Sequence, residues 1–252
     1  MGGRDDPATV AAIAVLTVIV ATVAHEAIGH GSACLAMGGH ITQLTSVYFD
    51  CSVHGIWLPA AGPLGNLIAA LLAWLVLRPV SSGMPRLRLL LVLIVAFNLF
   101  WMAGYLLYSA FTGEGDNAIV ARMMFAGPRW ALGLGLAILG LVIYRVAIRA
   151  VAAEMRVFAD GAQRVRNLFY LSFGAGSIAA VIASAFYSPD RLHSAIQGAL
   201  EISAASLPML FLPMFVRPEN AREGPIPRSP LWMIVSGLAY VAFVATLGRG
   251  LP

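Results

Sequence analysis

Apolar residues run along this chain in long blocks, with polar residues gathered into short breaks between them. Residues 8–24 carry no charged side chain, and comparable blocks cover 58–77, 87–111, 130–150, 168–186, 195–216 and 231–247. Each is close to the roughly 20 residues a helix needs to cross a hydrocarbon core. The pattern predicts an all-α multi-span membrane protein of six to seven transmembrane helices: seven if every block spans, six if one is re-entrant. The first helix is expected over 7–37, with Pro7 in its first turn and Gly38-Gly39 as its stop. Residues 40–57 break the pattern. Val47, Tyr48 and Phe49 favour strand and 50–52 a turn, so a short hairpin or re-entrant loop is expected after the first helix. A polar break covers 112–127, and the charged stretch 154–166 reads as an interfacial helix.

Composition supports the membrane reading. Of 252 residues 60% are hydrophobic and 11% charged, with a mean hydropathy of +0.83. A soluble domain has about a quarter of its residues charged, so this chain lacks the polar residues to cover a water-facing surface. The net charge of +4 arises from arginine alone, since the chain contains no lysine. No arginine block with interleaved aromatics suggests nucleic acid, and the excess is read as topology. Arg4, Arg78, Arg86, Arg88, Arg149, Arg156, Arg164, Arg166, Arg217, Arg222 and Arg228 fall on one side; Arg122, Arg129, Arg191 and Arg249 fall on the other. The rich side is expected to be cytoplasmic, which places the end of the first helix toward the opposite face. Asp5 and Asp6 spoil the basic start of a signal peptide, so the first block is read as an uncleaved span. Cys34 and Cys51 are too few for a disulfide framework and are expected as free thiols.

Polar chemistry begins abruptly at the end of the first block, in His25-Glu26-Ala27-Ile28-Gly29-His30. Ionisable side chains at membrane depth cost about 2.5–3.5 kcal/mol each when charged, so they persist mainly with partners or a function. Zinc hydrolases place two histidines at i and i+4 on one helix face, with an intervening glutamate as general base. Here the spacing is i and i+5. On a regular helix the two imidazoles would point about 140° apart, at about 100° per residue. A π-type turn inserts one residue and restores a common face, and Gly29 is the place where that distortion meets least crowding. On this reading His25 and His30 ligate zinc, and Glu26 takes a proton from the metal-bound water.

The same hexapeptide resembles that of the soluble dipeptidyl peptidase III zinc peptidases. The wider context resembles the site-2 protease family of intramembrane metallopeptidases: an apolar helix ending in the motif, then a hairpin, then Ala60-Ala61-Gly62-Pro63-Leu64-Gly65-Asn66 opening the next span. This resemblance covers residues 23–117 and implies zinc-dependent cleavage of a membrane-protein or peptide substrate in a cell membrane, on a bacterial pattern. It implies a substrate-binding role for Asn66 and a third ligand after the third span. Asp116 is the expected ligand, with Glu114 its rival and His54, Asp50, His40 and Cys34 weaker candidates. Asn117 stands where the family has glycine, and no proline precedes it. Family members commonly hold their metal toward the cytosol, opposite to the arginine count. The resemblance divides the chain into a metalloprotease-like membrane core over 1–126 and additional transmembrane helices over 127–252. Glu201 is a further ionisable residue within an apolar block. Two alternatives stand beside hydrolysis: a non-catalytic zinc-binding membrane regulator, in which Glu26 would have no work, and a metal or proton transporter using His25, Glu26 and Glu201.

Overall fold

The computed structural model describes residues 4–81, 83–217 and 223–251, so Arg222 lies outside the described residues. Six helices are long and apolar enough to cross a membrane: Pro7–Ala36, Trp57–Leu77, Pro85–Thr112, Arg129–Phe158, Ala162–Ser184 and Pro230–Gly248. The first is a composite. Helix α1 (Pro7–Thr22) opens with Asp6 accepting the Thr9 amide at 2.8 Å, passes through a π-helical turn at Val23–His30, and continues as α2 (Gly31–Ala36). A two-stranded hairpin follows, β1 (Ile41–Leu44) and β2 (Phe49–Cys51), before α3 (Trp57–Leu77) and α4 (Pro85–Thr112). A short α5 (Asp116–Met124) leads to α6 (Arg129–Met155) and α7 (Ala162–Ser184).

Helix α4 is the hub. Leu89, Leu93, Phe97, Phe100 and Trp101 are almost wholly buried along it, packed against α1, α3 and α6. The outer faces of α3 and α6, with the last helix α9 (Pro230–Phe243), carry exposed Leu71, Leu75, Leu141, Val146, Leu238 and Val241. Such a belt has no aqueous rationale and fits contact with lipid.

The block at 195–216 is not a continuous helix. It is α8 (Arg191–Gly198), a π-helical turn (Ala199–Ala204) and two 3-10 turns (Leu207–Leu210 and Leu212–Met214). Pro208 and Pro213 remove two backbone donors and stop any longer helix. The segment nevertheless runs the length of the molecule. Just before it, Tyr187 accepts a hydrogen bond from Gln43 of the hairpin at 2.6 Å; just after it, Glu223 meets Arg88 at 3.0 Å at the far end. The expected count of six continuous spans is therefore met, with a seventh passage made in broken pieces.

Three expectations are corrected. The charged stretch 154–166 forms no interfacial helix of its own: α6 ends in a 3-10 turn (Arg156–Phe158) whose Phe158 is buried, and Arg164 belongs to α7. Strand and turn are exchanged in the hairpin. The Thr45 hydroxyl accepts the amides of Val47 at 3.1 Å and Tyr48 at 2.6 Å, making 45–48 the turn and 49–51 the strand. Cys34 and Cys51 are not free thiols but form a disulfide that ties β2 to α2, because the hairpin folds back until their Cα atoms are 5.9 Å apart.

The two ends of the molecule differ in chemistry. One is clasped by arginine pairs, Arg164 with Asp5 at 2.9 Å and Arg88 with Glu223 at 3.0 Å. The other carries the hairpin, its disulfide and α5. Disulfides persist in oxidising compartments, and arginine-rich ends stay cytoplasmic, so both observations put the hairpin end outside. Gly127, an exposed residue between α5 and α6, and Gly161, before α7, have open space where a side chain would go. Gly127→Cys should react with a membrane-impermeant maleimide in intact cells and Gly161→Cys only after permeabilisation. The reverse pattern would invert the topology.

Candidate metal centre

The site is built on the π-helical turn. One residue more than an α-turn lies between His25 and His30, and the Gly31 amide reaches back to the Glu26 carbonyl, five residues away. The imidazoles consequently face one another, with ring centroids 4.9 Å apart. Helix α3 crosses this turn almost backbone to backbone. A Cβ on Gly29 would stand 2.5 Å from the Ala61 carbonyl oxygen, and one on Gly65 would stand 2.1 Å from that of Ala24. No residue other than glycine fits at this crossing.

Asp116 arrives from the opposite side. Gly113 ends α4 with φ +72° and Gly115 follows with φ +78°, a left-handed path that glycine adopts without strain. The chain turns back so that Asp116 opens α5 with its carboxylate over the histidines. Its Oδ2 lies 3.3 Å from His25 Nε2 and 3.2 Å from His30 Nε2. Burial opposes the Asp116 charge, but hydrogen bonds from the two imidazoles prevail and hold its carboxyl down at about 2. The Tyr105 hydroxyl beside it accepts the Asp116 amide.

These three side chains could hold a metal ion: their ligand atoms all lie within 4.8 Å of one another. Two independent features fit such an ion. The spacings of 3.2 and 3.3 Å match the edge of a tetrahedron with bonds of about 2.0 Å, the zinc–nitrogen length. A Cβ on Gly62 would fall 2.3 Å from His30 Nε2 and 2.6 Å from His25 Nε2, so this glycine keeps an atom-sized space beside both nitrogens.

The surroundings fix each ring. His30 Nδ1 donates to the Leu58 carbonyl at 2.7 Å, which leaves Nε2 free for a metal. His25 Nδ1 lies 3.1 Å from the Asn66 carboxamide, whose Oδ1 is buried and unpartnered. Metal on Nε2 makes Nδ1 a donor, and the carboxamide serves it by turning that oxygen toward the ring. Trp101 stacks on His25 with centroids 4.6 Å apart, and Phe49 of β2 lies over His30 at 5.3 Å.

Glu26 is buried but outside the ligand group, and it lines a cavity of about 370 Å³ with both histidines, Asp116, Tyr105 and Glu201. His54 lines the same cavity. Of the rivals for third ligand, Glu114 is exposed and meets Tyr108 instead; Asp50 accepts from Thr42, His40 is exposed, and Cys34 is spent in the disulfide. Asn66 does not line the cavity; it stands behind His25 as a positioning residue. Residues beyond 126 share the site, through Glu201 and through Leu251, which pairs with Leu44 of the hairpin. A larger cleft of about 920 Å³ at the arginine end, lined by Asp5 and Arg164, has its charges paired and gathers no ligand group.

The sequence pattern singles out His25, Glu26, His30 and Asp116. It gives no sign of the Leu58 carbonyl, of Trp101, or of the space kept by Gly62. Comparison with protein-family models, curated proteins and solved structures finds no match to this chain. Gly62→Ala should abolish metal retention while leaving every ligand in place, whereas Asn66→Ala should weaken metal affinity by about 10–100-fold. Both are read by metal analysis of purified protein against a chelator series; full metal in Gly62→Ala would refute the placement.

Proposed function

We propose that this chain is a zinc-dependent endopeptidase of the membrane, resembling the site-2 proteases, that hydrolyses a peptide bond of a membrane-protein or peptide substrate. The observation that carries the reading is the convergence of two imidazoles and a carboxylate beside a buried glutamate that ligates nothing, all opening on one cavity. A site that only stores or senses metal has no use for Glu26. A mixed imidazole and carboxylate set suits zinc, and three protein ligands with an open position is the catalytic arrangement.

Zinc bound by His25, His30 and Asp116 would supply Lewis acidity, polarising a substrate carbonyl and acidifying water to a pKa of about 7. The rest is the work of the chain. Glu26 is close enough to His25, His30 and Asp116 to feel their charges, and its carboxylate receives the proton that the attacking water sheds. The same carboxyl then delivers that proton to the departing amine. Leu58 and Asn66 hold the imidazoles in the required tautomer. Peptide bonds in a membrane helix are masked by their own hydrogen bonds, so a substrate must be drawn out before cleavage. The hairpin offers an edge for this. The far side of β1 is occupied by Leu251 at Leu44, while β2 borders the cavity through Phe49. An extended substrate added to β2 would lie across the metal ligands.

Wild-type protein should carry about one zinc per chain, and His30→Ala and Asp116→Ala should lose it. Glu26→Gln should keep the zinc and lose about 10²–10⁴-fold in turnover of a membrane-peptide substrate. Unimpaired cleavage by Glu26→Gln would eliminate this mechanism. A zinc-loaded wild type that cleaves nothing would favour a non-catalytic zinc-binding regulator instead.

A further inference from the structure

Glu201 is the acidic residue of the cavity that neither the ligand group nor the hydrolytic chemistry uses. It sits on the π-helical turn Ala199–Ala204 of the broken passage, 9% exposed, and lines the cavity that holds His25, His30 and Asp116. Among the described residues its carboxylate makes no hydrogen bond and no ion pair. It also lies outside the group of ligand atoms within 4.8 Å, so it is not a fourth ligand.

The position of Glu201 is built, not incidental. The turn is pinned to α4 where Gly104 admits Ala205, since a Cβ on Gly104 would stand 2.4 Å from the Ala205 Cβ. It is pinned to α6 by the Tyr144 hydroxyl, which donates to the Ala205 carbonyl at 2.6 Å. A carboxyl withdrawn from water without a partner is costly, and within a membrane protein it marks a place that a ligand completes.

The rest of the cavity wall indicates the charge of that ligand. No arginine lines it, and its other carboxylates are Glu26 and Asp116. Three aromatic rings, Tyr48, Phe49 and Tyr105, face the same space. Carboxylate and aromatic faces together favour a cation and repel an anion. We propose that Glu201 anchors a specificity subsite for a positively charged group of the substrate, an ammonium or guanidinium carried near the cleaved bond. The inference rests on the hydrolytic reading for its substrate class, but the subsite itself is a binding property. Two sources share this chemistry: an arginine or lysine side chain, and a free α-amino group.

The test uses the full-length protein with Glu26→Gln, so that substrate is bound without turnover. Matched fluorescent peptides carry arginine or its uncharged isostere citrulline near the cleaved bond, each with a free or acetylated N-terminus. The arginine or free-amine member should bind at least about tenfold more tightly than its neutral match, and Glu201→Gln in the same background should reduce the ratio to within about twofold. Discrimination in the arginine pair alone identifies the side chain as the source; discrimination in the amine pair alone identifies the N-terminus. Zinc content, and turnover of the neutral peptide by Glu201→Gln in the otherwise wild-type protein, should be unchanged. Equal or absent binding of charged and neutral peptides overturns the subsite, as does loss of the neutral peptide along with the charged one in Glu201→Gln. Clear discrimination in a zinc-loaded protein that cleaves neither peptide leaves the subsite standing and removes the peptidase reading.

Discussion

Two imidazoles five residues apart can share an ion only if the helix carrying them gains a residue within one turn, and the site depends on that distortion. The π-helical turn at Val23–His30 meets this requirement, but a π-turn left alone loses backbone packing and relaxes. Here it is held by α3, whose Gly62 and Gly65 let its backbone lie against Ala24 and Gly29. That contact fixes the register of α3, and the register brings the Leu58 carbonyl to His30 and the Asn66 carboxamide to His25. One glycine-lined crossing therefore settles helix geometry, ligand tautomers and the space beside both nitrogens. A Cβ at any of Gly29, Gly62 or Gly65 would disturb all three together.

The membrane class, the six long helices and the convergence of His25 and His30 were legible in the sequence, because each rests on local pattern. Apolar block length reports a span, and i/i+5 spacing around Gly29 demands a π-turn wherever the histidines cooperate. Asp116 was legible through the glycine-rich break that precedes it. What escaped was decided by contacts between distant segments. The disulfide depends on the hairpin folding back onto α2, which seventeen intervening residues do not announce. Gly62 reads as an ordinary helix opening until His25 and His30 stand against it. The hairpin slipped because Val47 and Tyr48 favour strand, yet the Thr45 hydroxyl captures both their amides and makes them a turn. Asn66 was expected to face substrate, and tertiary packing turned it toward His25.

The broken passage over 191–216 shows why block hydropathy and helix continuity are separate properties. Its residues are apolar enough for a span, but Pro208 and Pro213 interrupt the ladder and shorten the helix to Arg191–Gly198. In lipid, freed backbone groups are tolerated only where protein or a cavity satisfies them. The passage meets that condition by packing against α7, α4 and α6 instead of standing alone, as the Tyr144 bond to the Ala205 carbonyl illustrates. A continuous helix there would present its carbonyls to itself; the distorted one offers a place for Glu201 on the cavity wall.

Hydrolysis in a membrane is limited by access of water, and the asymmetry of the molecule bears on that limit. The metal group lies at the end that carries the hairpin and α5, below the exposed His54 at the cavity's edge. The opposite end is shut by Arg164 with Asp5 and Arg88 with Glu223, both pairs partly buried. Water and an unwound substrate thus share one approach, from the side that the disulfide assigns to an oxidising compartment. The site-2 protease resemblance alone would have put the metal toward the cytosol. Arginine distribution and a covalent cross-link are independent physical constraints, and their agreement outweighs the analogy. A site so oriented draws its water and its substrate's cut end from outside the cell, and the disulfide fixes the hairpin at the mouth through which both must pass.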